Sequence, residues 1–472
     1  MRPLLRALGL ALLSFTAGAH AADFQPCADA ATDPALRGSL CAIERVPADP
    51  SGAPGSGGEI DLFVRKFPAA SASLGNVWLV AGGPGESGAS FYGLLDAFRA
   101  TFPGFDLVIP DHRGTGFSTR MCPQEEAPGS PGGTALVNEE WGSCFARLNA
   151  APAQARQFSQ TNAAHDLKRL LERTPRHGKT YVYGVSYGTQ LVLRTAALGA
   201  TGIDGLVLDS LVPRQDDDKA DLSRRSLVAD AVGRQILAHC DTSPNCRRTV
   251  GEPAETLYRR VLDRAAKDPQ LLAAIPGKNL KRFLGSLLDV PGVAWQIPYL
   301  VKELDEGKDT RLQAVIAEVK KTMAQLGSFP QSPVSVPLVA LISGSENNLR
   351  PGRTAQQVRE EEAGLLFASG LPGLLVNGNV PLYPRDALFA RAPEHLPRTL
   401  VIQGGRDAKT PEDAARRHVE ALRKAGMVQL YIAGDSGHFA LWWNQACTRA
   451  TVRKFVLGPL DESRCVSVSS HD

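Results

Sequence analysis

No part of the chain is rich in charge of one sign. The 52 Lys and Arg against 49 Asp and Glu leave a net charge of +3 over 472 residues, with no basic run and no acidic tail. Such a balance offers no electrostatic footprint for nucleic acid or for an anionic lipid surface. Beyond the N-terminus no apolar run approaches the ~20 residues that span a bilayer, because Arg, Asp, Gly or Pro interrupts each one. Metal-binding patterns are missing as well: there is no C-x-x-C and no H-E-x-x-H, and none of the nine histidines sits in a ligand cluster. No internal repeat occurs, and no low-complexity tract beyond short Gly/Pro turns. With 43% hydrophobic and 21% charged residues, the composition excludes disorder and coiled coil and leaves a soluble globule with a substantial core. The length fits about three domain-sized units or one large α/β domain with a big insertion.

The N-terminus carries an address. Arg2 and Arg6 precede an apolar run from Leu8 to Phe15, followed by small residues ending Ala19-His20-Ala21. That is the positive region, short apolar region and A-x-A site of a cleaved signal peptide, rather than a buried first helix. Cleavage after Ala21 removes two arginines from the +3 and leaves +1. The protein is therefore expected to be exported, to the periplasm or beyond, without a membrane anchor. Eight cysteines agree with an oxidising compartment. They fall into four sequence-local couples, Cys27/Cys41, Cys122/Cys144, Cys240/Cys246 and Cys447/Cys465, and nearest-neighbour disulfides are expected to staple loops.

Short apolar runs bounded by Gly and Pro predict strands at Cys41–Val46, Ile60–Phe67, Val77–Ala81, Leu107–Pro110, Tyr181–Gly184 and Ile203–Asp209. A helix from Ala163 to Arg173, capped by Thr161 or Asn162, and another over Gln190–Leu198 alternate with them. From Pro213 to about Pro397 the texture changes to amphipathic helical patterns such as Lys219–His239 and Ala254–Lys267. Strands then resume at Thr399–Gln403 and Val428–Ala433, around a helix at Pro411–Ala425 and before a closing helix to Leu457. Strands alternating with helices on both sides of an insert predict a mostly parallel α/β sheet. The expected organisation is signal peptide 1–21, first part of the core 22–212, helical cap 213–397 and last part of the core 398–472.

The chemistry is carried first by Gly184-Val185-Ser186-Tyr187-Gly188, a G-x-S-x-G at the junction of an apolar strand and a helix. That context puts a serine hydroxyl on a sharp, exposed turn, with glycines where a Cβ would clash. The helix N-terminus aims amide N–H groups at a reacting carbonyl. A serine at neutral pH needs a base, and the base needs an acid to orient it. In chain order Asp407 and His438 follow, each just past a predicted strand, where open α/β sheets place their sites. Asp209 is the reserve acid, and Asp435 lies too close to the histidine loop to be preferred. The oxyanion donors would be the amide of Tyr187 and one from Ala81-Gly82-Gly83-Pro84-Gly85-Glu86-Ser87-Gly88, where Gly83 can approach a substrate oxygen. The same loop matches a dinucleotide fingerprint, Gly83-x-Gly85-x-x-Gly88, with Asp106 and Asp111 further on. That reading leaves Ser186, Asp407 and His438 without a role, so neither a cofactor nor a metal is expected.

Together Gly82-Gly83-Pro84-Gly85, Asp111-His112-Arg113-Gly114-Thr115-Gly116-Phe117-Ser118, Gly184 to Thr189 and Leu206-Val207-Leu208-Asp209 resemble the proline-iminopeptidase branch of the α/β hydrolases. Its secreted members similar to bacterial tripeptidyl aminopeptidases match best. The resemblance covers about Cys41 to Leu211 and Arg398 to Cys465. It implies an α/β-hydrolase fold, Ser186 as nucleophile, Asp407 as acid, His438 as base, and Gly83 with Tyr187 as oxyanion donors. Arg113 is expected to support its loop rather than join the chemistry. Ala81 stands where relatives often carry His or Asn, which removes side-chain support from the oxyanion loop but not its backbone donors. Glu346, in a segment resembling an acidic motif of the relatives, is the candidate for binding the α-amino group of a peptide substrate. The expectation is an exported serine aminopeptidase acting on peptides through an acyl-enzyme. The alternatives are a secreted carboxylesterase on the same triad and a non-catalytic binding protein of the same fold.

Overall fold

Strands of this chain are sorted by how many faces they bury. The computed structural model describes residues 23–52, 57–127, 130 and 141–458. It contains one nine-stranded sheet: β1 (Gln25–Pro26), β2 (Leu40–Pro47), β3 (Glu59–Phe67), β4 (Gly75–Val80), β5 (Asp106–Pro110), β6 (Lys179–Val185), β7 (Gly205–Asp209), β8 (Arg398–Gly404) and β9 (Val428–Ala433). Their spatial order is β1-β2-β3-β5-β4-β6-β7-β8-β9. The first three strands run antiparallel and β5 through β9 run parallel. Every residue of β4, β5 and β7 is buried, as expected for parallel strands covered on both faces. β2 alternates buried and exposed residues, the pattern of a strand with one wet face.

Two apolar layers cover the sheet. On one side Trp78, Val80, Val182, Leu206 and Val401 pack against Leu167 and Leu171, Leu191 and Val192, and Val419. These come from the helices Gln160–Arg173, Tyr187–Ala197 and Glu412–Leu422. On the other side Val77, Leu79, Tyr183, Val207 and Ile402 meet Phe91, Phe98, Phe102 and Phe455. Alternate residues of one strand feed opposite layers, so β6 contributes Val182 to the first and Tyr183 to the second.

Between β7 and β8 lies a helical cap with a core of its own. Ile236, Leu257, Tyr258, Val261, Leu284, Leu300 and Phe367 form it, and Ala408 is the sheet-side residue that joins them. Its principal helices are Arg225–Thr242, Ala254–Ala265, Leu280–Leu287, Ile297–Asp305 and Thr310–Gly327. The following helix, Val336–Glu346, is buried at every position. Apolar residues on all sides fit a helix enclosed between two layers, and Leu338, Leu341 and Ile342 belong to the sheet-side core.

Disulfides join Cys27 to Cys41, Cys122 to Cys144 and Cys240 to Cys246, with Cα separations of 5.0, 5.6 and 5.1 Å. Cys447 is disulfide-bonded too. Cys465 and the segment read as a signal peptide, 1–21, lie outside the described residues. Among the described residues no helix is long and apolar enough to cross a membrane. Two helix starts differ from the sequence reading. Ser159, not Thr161 or Asn162, caps the first helix by accepting the Asn162 amide at 3.3 Å. The extra turn is held by a tertiary contact, the Gln160 amide donating to the Tyr383 hydroxyl at 3.1 Å. The second helix begins at Tyr187 rather than Gln190, because Gly188 lets it start directly against β4.

Candidate active site

Four strand ends converge on one place. Gly82 and Gly83 follow β4, Ser186 follows β6, Asp407 follows β8 and His438 follows β9. The turn at Ser186 is tight. Its φ of 55° and ψ of −127° are strained for a residue with a side chain. The surroundings hold it there: its amide donates to the Asp209 carbonyl at 3.0 Å, and its carbonyl accepts from Thr189 N at 2.8 Å and Oγ1 at 2.7 Å. Neither flanking glycine has room for a side chain. A Cβ on Gly184 would lie 2.7 Å from the Gly188 carbonyl oxygen, and one on Gly188 would lie 2.4 Å from that of Val80. Tyr187 opens the helix, so its N–H has no intrahelical acceptor and is available to a substrate oxygen.

The aspartate and histidine meet. His438 Nδ1 stands 2.9 and 3.0 Å from the two oxygens of Asp407, with both residues buried. Asp407 also accepts from the amides of Lys409 (2.8 Å) and Thr410 (2.7 Å), from Thr410 Oγ1 (2.6 Å) and from Gln403 Nε2 (3.1 Å). Burial by itself would raise the Asp407 pKa, but the His438 ring and the Thr410 bonds outweigh it and hold the pKa at about 2. An ionised Asp407 fixes the proton on Nδ1, which leaves Nε2 as the basic nitrogen. His438 and Ser186 line the same cavity. Among the described residues they are not hydrogen-bonded to each other, a contact that commonly tightens only with substrate bound.

Asp209 does not reach the histidine. Its carboxylate accepts from Tyr183 Oη (2.7 Å), Ser210 Oγ (3.1 Å) and the amides of Ala440 (2.8 Å) and Leu441 (3.0 Å). It therefore anchors the loop that carries His438. Burial pushes its pKa up to about 6 despite those bonds. Asp111 and Arg113 are loop supports of the same kind. Asp111 accepts from the amides of Gly88 (2.7 Å) and Phe117 (2.9 Å), and fully buried Arg113 makes two 2.6 Å bonds to Asp166. The glycine loop after β4 thus closes on protein groups: Gly88 on Asp111, and the Gly85 carbonyl on the Ser335 amide at 2.9 Å.

Glu346 is placed differently from the sequence expectation. It is 1% exposed and faces Arg194 on the nucleophile helix, at 3.1 Å from Nη1 and 3.0 Å from Nη2. It also accepts from Gln215 Nε2 (2.6 Å) and Tyr383 Oη (2.9 Å). Both of its oxygens are committed inside the protein, and Glu346 does not line the cavity that holds Ser186, so it is not placed to bind a substrate amine there.

That cavity, about 520 Å³, lies between the strand ends and the cap. Gly83, Ser186 and His438 line it from the sheet side. Arg225, Arg282, Asp289, Val319, Met323 and Ser343 line it from the cap side. One carboxylate stands close to the nucleophile. Glu86 Oε2 lies 3.3 Å from the point a Cβ on Gly82 would occupy, and Ser186 Cβ lies 3.0 Å from that same point. Glu86 makes no hydrogen bond or ion pair among the described residues. Glu86 sits inside the loop Ala81–Gly88 expected to supply the Gly83 oxyanion donor, where a lone glutamate in the sequence gives no signal of its own. Arg225 and Asp289 had no local signal, since their roles come from where the cap folds back. The set can run acyl transfer: a hydroxyl nucleophile, a histidine oriented by an ionised aspartate, and amide donors at two strand ends.

Residues 76–253 match the family described as alpha/beta hydrolase fold, and residues 378–464 match the family described as TAP-like protein. No curated protein matches the chain in sequence. Among solved structures it is similar to a proline iminopeptidase of Mycobacterium smegmatis at 14% identity and a TM-score of 0.41, covering 88% of this chain and 97% of that one. It is similar to a laboratory-evolved potato epoxide hydrolase at 15% identity and a TM-score of 0.38, covering 88% and 98%. A thermophilic esterase from Thermogutta terrifontis follows at 14% identity and a TM-score of 0.35, covering 88% and 97%. By its sheet, its strand-end site and its two matched regions, the chain is an α/β-hydrolase-fold protein.

Proposed function

We propose that the protein is an exported serine aminopeptidase that releases residues or short peptides from free N-termini. Ser186 Oγ attacks the scissile carbonyl while His438 takes its proton and Asp407 stabilises the imidazolium. The amides of Tyr187 and Gly83 receive the oxyanion. The protonated histidine then gives its proton to the departing amine, leaving an ester on Ser186. Water, deprotonated by His438, breaks that ester and restores the serine.

The observation that carries a free-amine substrate is Glu86, a carboxylate beside Ser186 in a covered cavity and without a partner among the described residues. A substrate ammonium would supply that partner, and a charge-assisted bond there would place the N-terminal end next to the nucleophile. The cap favours peptides over folded proteins by limiting access. Export rests on the N-terminal pattern and is supported by the disulfides. The test compares free and acetylated amino-acid and peptide nitroanilides with wild type, Ser186→Ala and Glu86→Gln. Turnover of free-amine substrates, lost on acetylation and with Ser186→Ala and reduced in KM terms by Glu86→Gln, is the expected result.

An ester substrate is the second reading, favoured by the apolar part of the wall, where Val319, Met323, Leu326 and Trp442 line the cavity. Ester turnover with every amide untouched would select it.

A further inference from the structure

Among the described residues, Arg225 is a cation without a hydrogen-bond or ion-pair partner. It opens the cap helix Arg225–Thr242 and lines the cavity that holds Ser186 and His438. Its guanidinium makes no hydrogen bond and no ion pair among the described residues. The other cations of the cavity are engaged: Arg282 lies 3.0 Å from Glu362, and Lys409 Nζ lies 3.9 Å from Asp289. Even Arg224, one residue earlier, is paired with Asp221.

Two carboxylates exert an attraction on Arg225, Asp289 and Asp407. Neither is free to serve it. Asp407 is occupied by His438, Thr410 and Gln403. Asp289 accepts the Ala408 amide at 3.3 Å and faces Lys409. A guanidinium cannot shed its charge to relieve burial, because it stays protonated at any working pH. Its planar fork matches a carboxylate through two parallel bonds. Among the described residues the cavity thus presents an unpartnered anion, Glu86, on the sheet side and an unpartnered cation, Arg225, on the cap side. That pair of charges is the complement of a zwitterion.

We propose that Arg225 binds a carboxylate of the substrate, so that the enzyme prefers substrates carrying a free carboxylate over their neutral counterparts. The inference rests on the reading of Ser186 as the nucleophile of this cavity. The carboxylate has two sources, the C-terminus of a short peptide or an acidic side chain, and both place the same group before the guanidinium.

The experiment uses the mature full chain, with Arg225→Gln and Arg225→Lys as variants. Labelling by a small neutral fluorophosphonate reports whether each is folded with a reactive serine. One arm compares Ala-Ala-Ala with Ala-Ala-Ala amide. A second compares Glu with Gln as the N-terminal residue of C-terminally amidated peptides. A third compares the mono-nitrophenyl ester of succinate with its methyl diester. In at least one arm the wild type should favour the carboxylate by about tenfold or more in kcat/KM, the scale of a charge-assisted pair. Arg225→Gln should bring the ratio to within about twofold of unity, and Arg225→Lys should retain part of it. Preference in the first arm alone identifies the C-terminus, and preference in the second identifies the side chain. No preference in the wild type, or a preference unchanged in Arg225→Gln, overturns the proposal. If no peptide is cleaved while the succinate arm shows an Arg225-dependent preference, the aminopeptidase reading falls and the role of Arg225 stands.

Discussion

Arg194 and Glu346 form a buried two-bond pair, 3.1 and 3.0 Å, that ties the nucleophile helix to the enclosed helix Val336–Glu346. Thr161, Gln215 and Tyr383 complete their hydrogen bonds. A carboxylate held this way is structural, and losing one member strands the other charge in the interior.

Glu346→Ala should therefore lower unfolding free energy by about 3–5 kcal/mol. The double change Arg194→Met/Glu346→Leu, which removes both charges and keeps volume, should be less damaging than Glu346→Ala alone. Chemical denaturation of the three variants measures this directly. A loss below about 1 kcal/mol for Glu346→Ala, the scale of an exposed pair, would contradict the assignment.

Asp209 is a positioning residue for His438. Asparagine there would turn an amide group toward donors that now meet a carboxylate, at the amides of Ala440 and Leu441. Asp209→Asn should reduce kcat by about 100-fold through displacement of the histidine loop, with a much smaller change in KM. Steady-state kinetics on an activated ester separates the two. An unchanged kcat would mean that the loop holds its place without Asp209.

Gly188 tests the close approach of helix and strand. A Cβ there would meet the carbonyl oxygens of Val80 and Ala81 at 2.4 and 2.8 Å, both backbone atoms that cannot step aside. Gly188→Ala should cost about 1–3 kcal/mol or more and abolish serine labelling. Gly364→Ala, where among the described residues beyond its chain neighbours no heavy atom lies within 4 Å of the added Cβ, should stay within about 0.5 kcal/mol of wild type. Thermal melts of both variants give the contrast.

Acid titration probes the loop after β5. Burial lowers the His112 pKa to about 4, against about 6.5 when unfolded. The unfolded chain thus binds a proton there first, and this group takes stability away as pH falls from about 6.5 to 4. Burial raises the Asp111 pKa to about 6, so the native state binds its proton first and that group adds stability as pH falls from 6 toward 4. The two neighbours oppose each other. His112→Gln removes one side, and its stability relative to wild type should rise by on the order of 3 kcal/mol between pH 7 and 4. A relative stability that does not change with pH would mean that His112 titrates normally in the folded protein.

Much of the sheet was legible because its signals are local. The runs at Val77–Ala81 and Tyr181–Gly184 are apolar, bounded by turn residues, and coincide closely with β4 and β6. The convergence of Ser186, Asp407 and His438 followed from their places after strands, since parallel strands bring their carboxyl ends to one edge. Helix starts were less legible where tertiary contacts set them, as at Gln160, held by Tyr383 from the cap. The place of Glu346 was not legible because its partner Arg194, 152 residues earlier on the nucleophile helix, draws the carboxylate inward. Arg225 could not have been found in the string: an arginine at a helix start looks like any surface cation until the cap is folded over the serine.

Burst kinetics on matched nitroanilides, free or acetylated at the N-terminus, with wild type and Ser186→Ala probes the proposed Ser186 aminopeptidase chemistry most directly. An acyl-enzyme on Ser186 and nitroaniline release from free-amine substrates only, both lost with Ser186→Ala, are the expected results. Equal turnover of free and acetylated substrates, or release that survives Ser186→Ala, would rule out an aminopeptidase acting through Ser186.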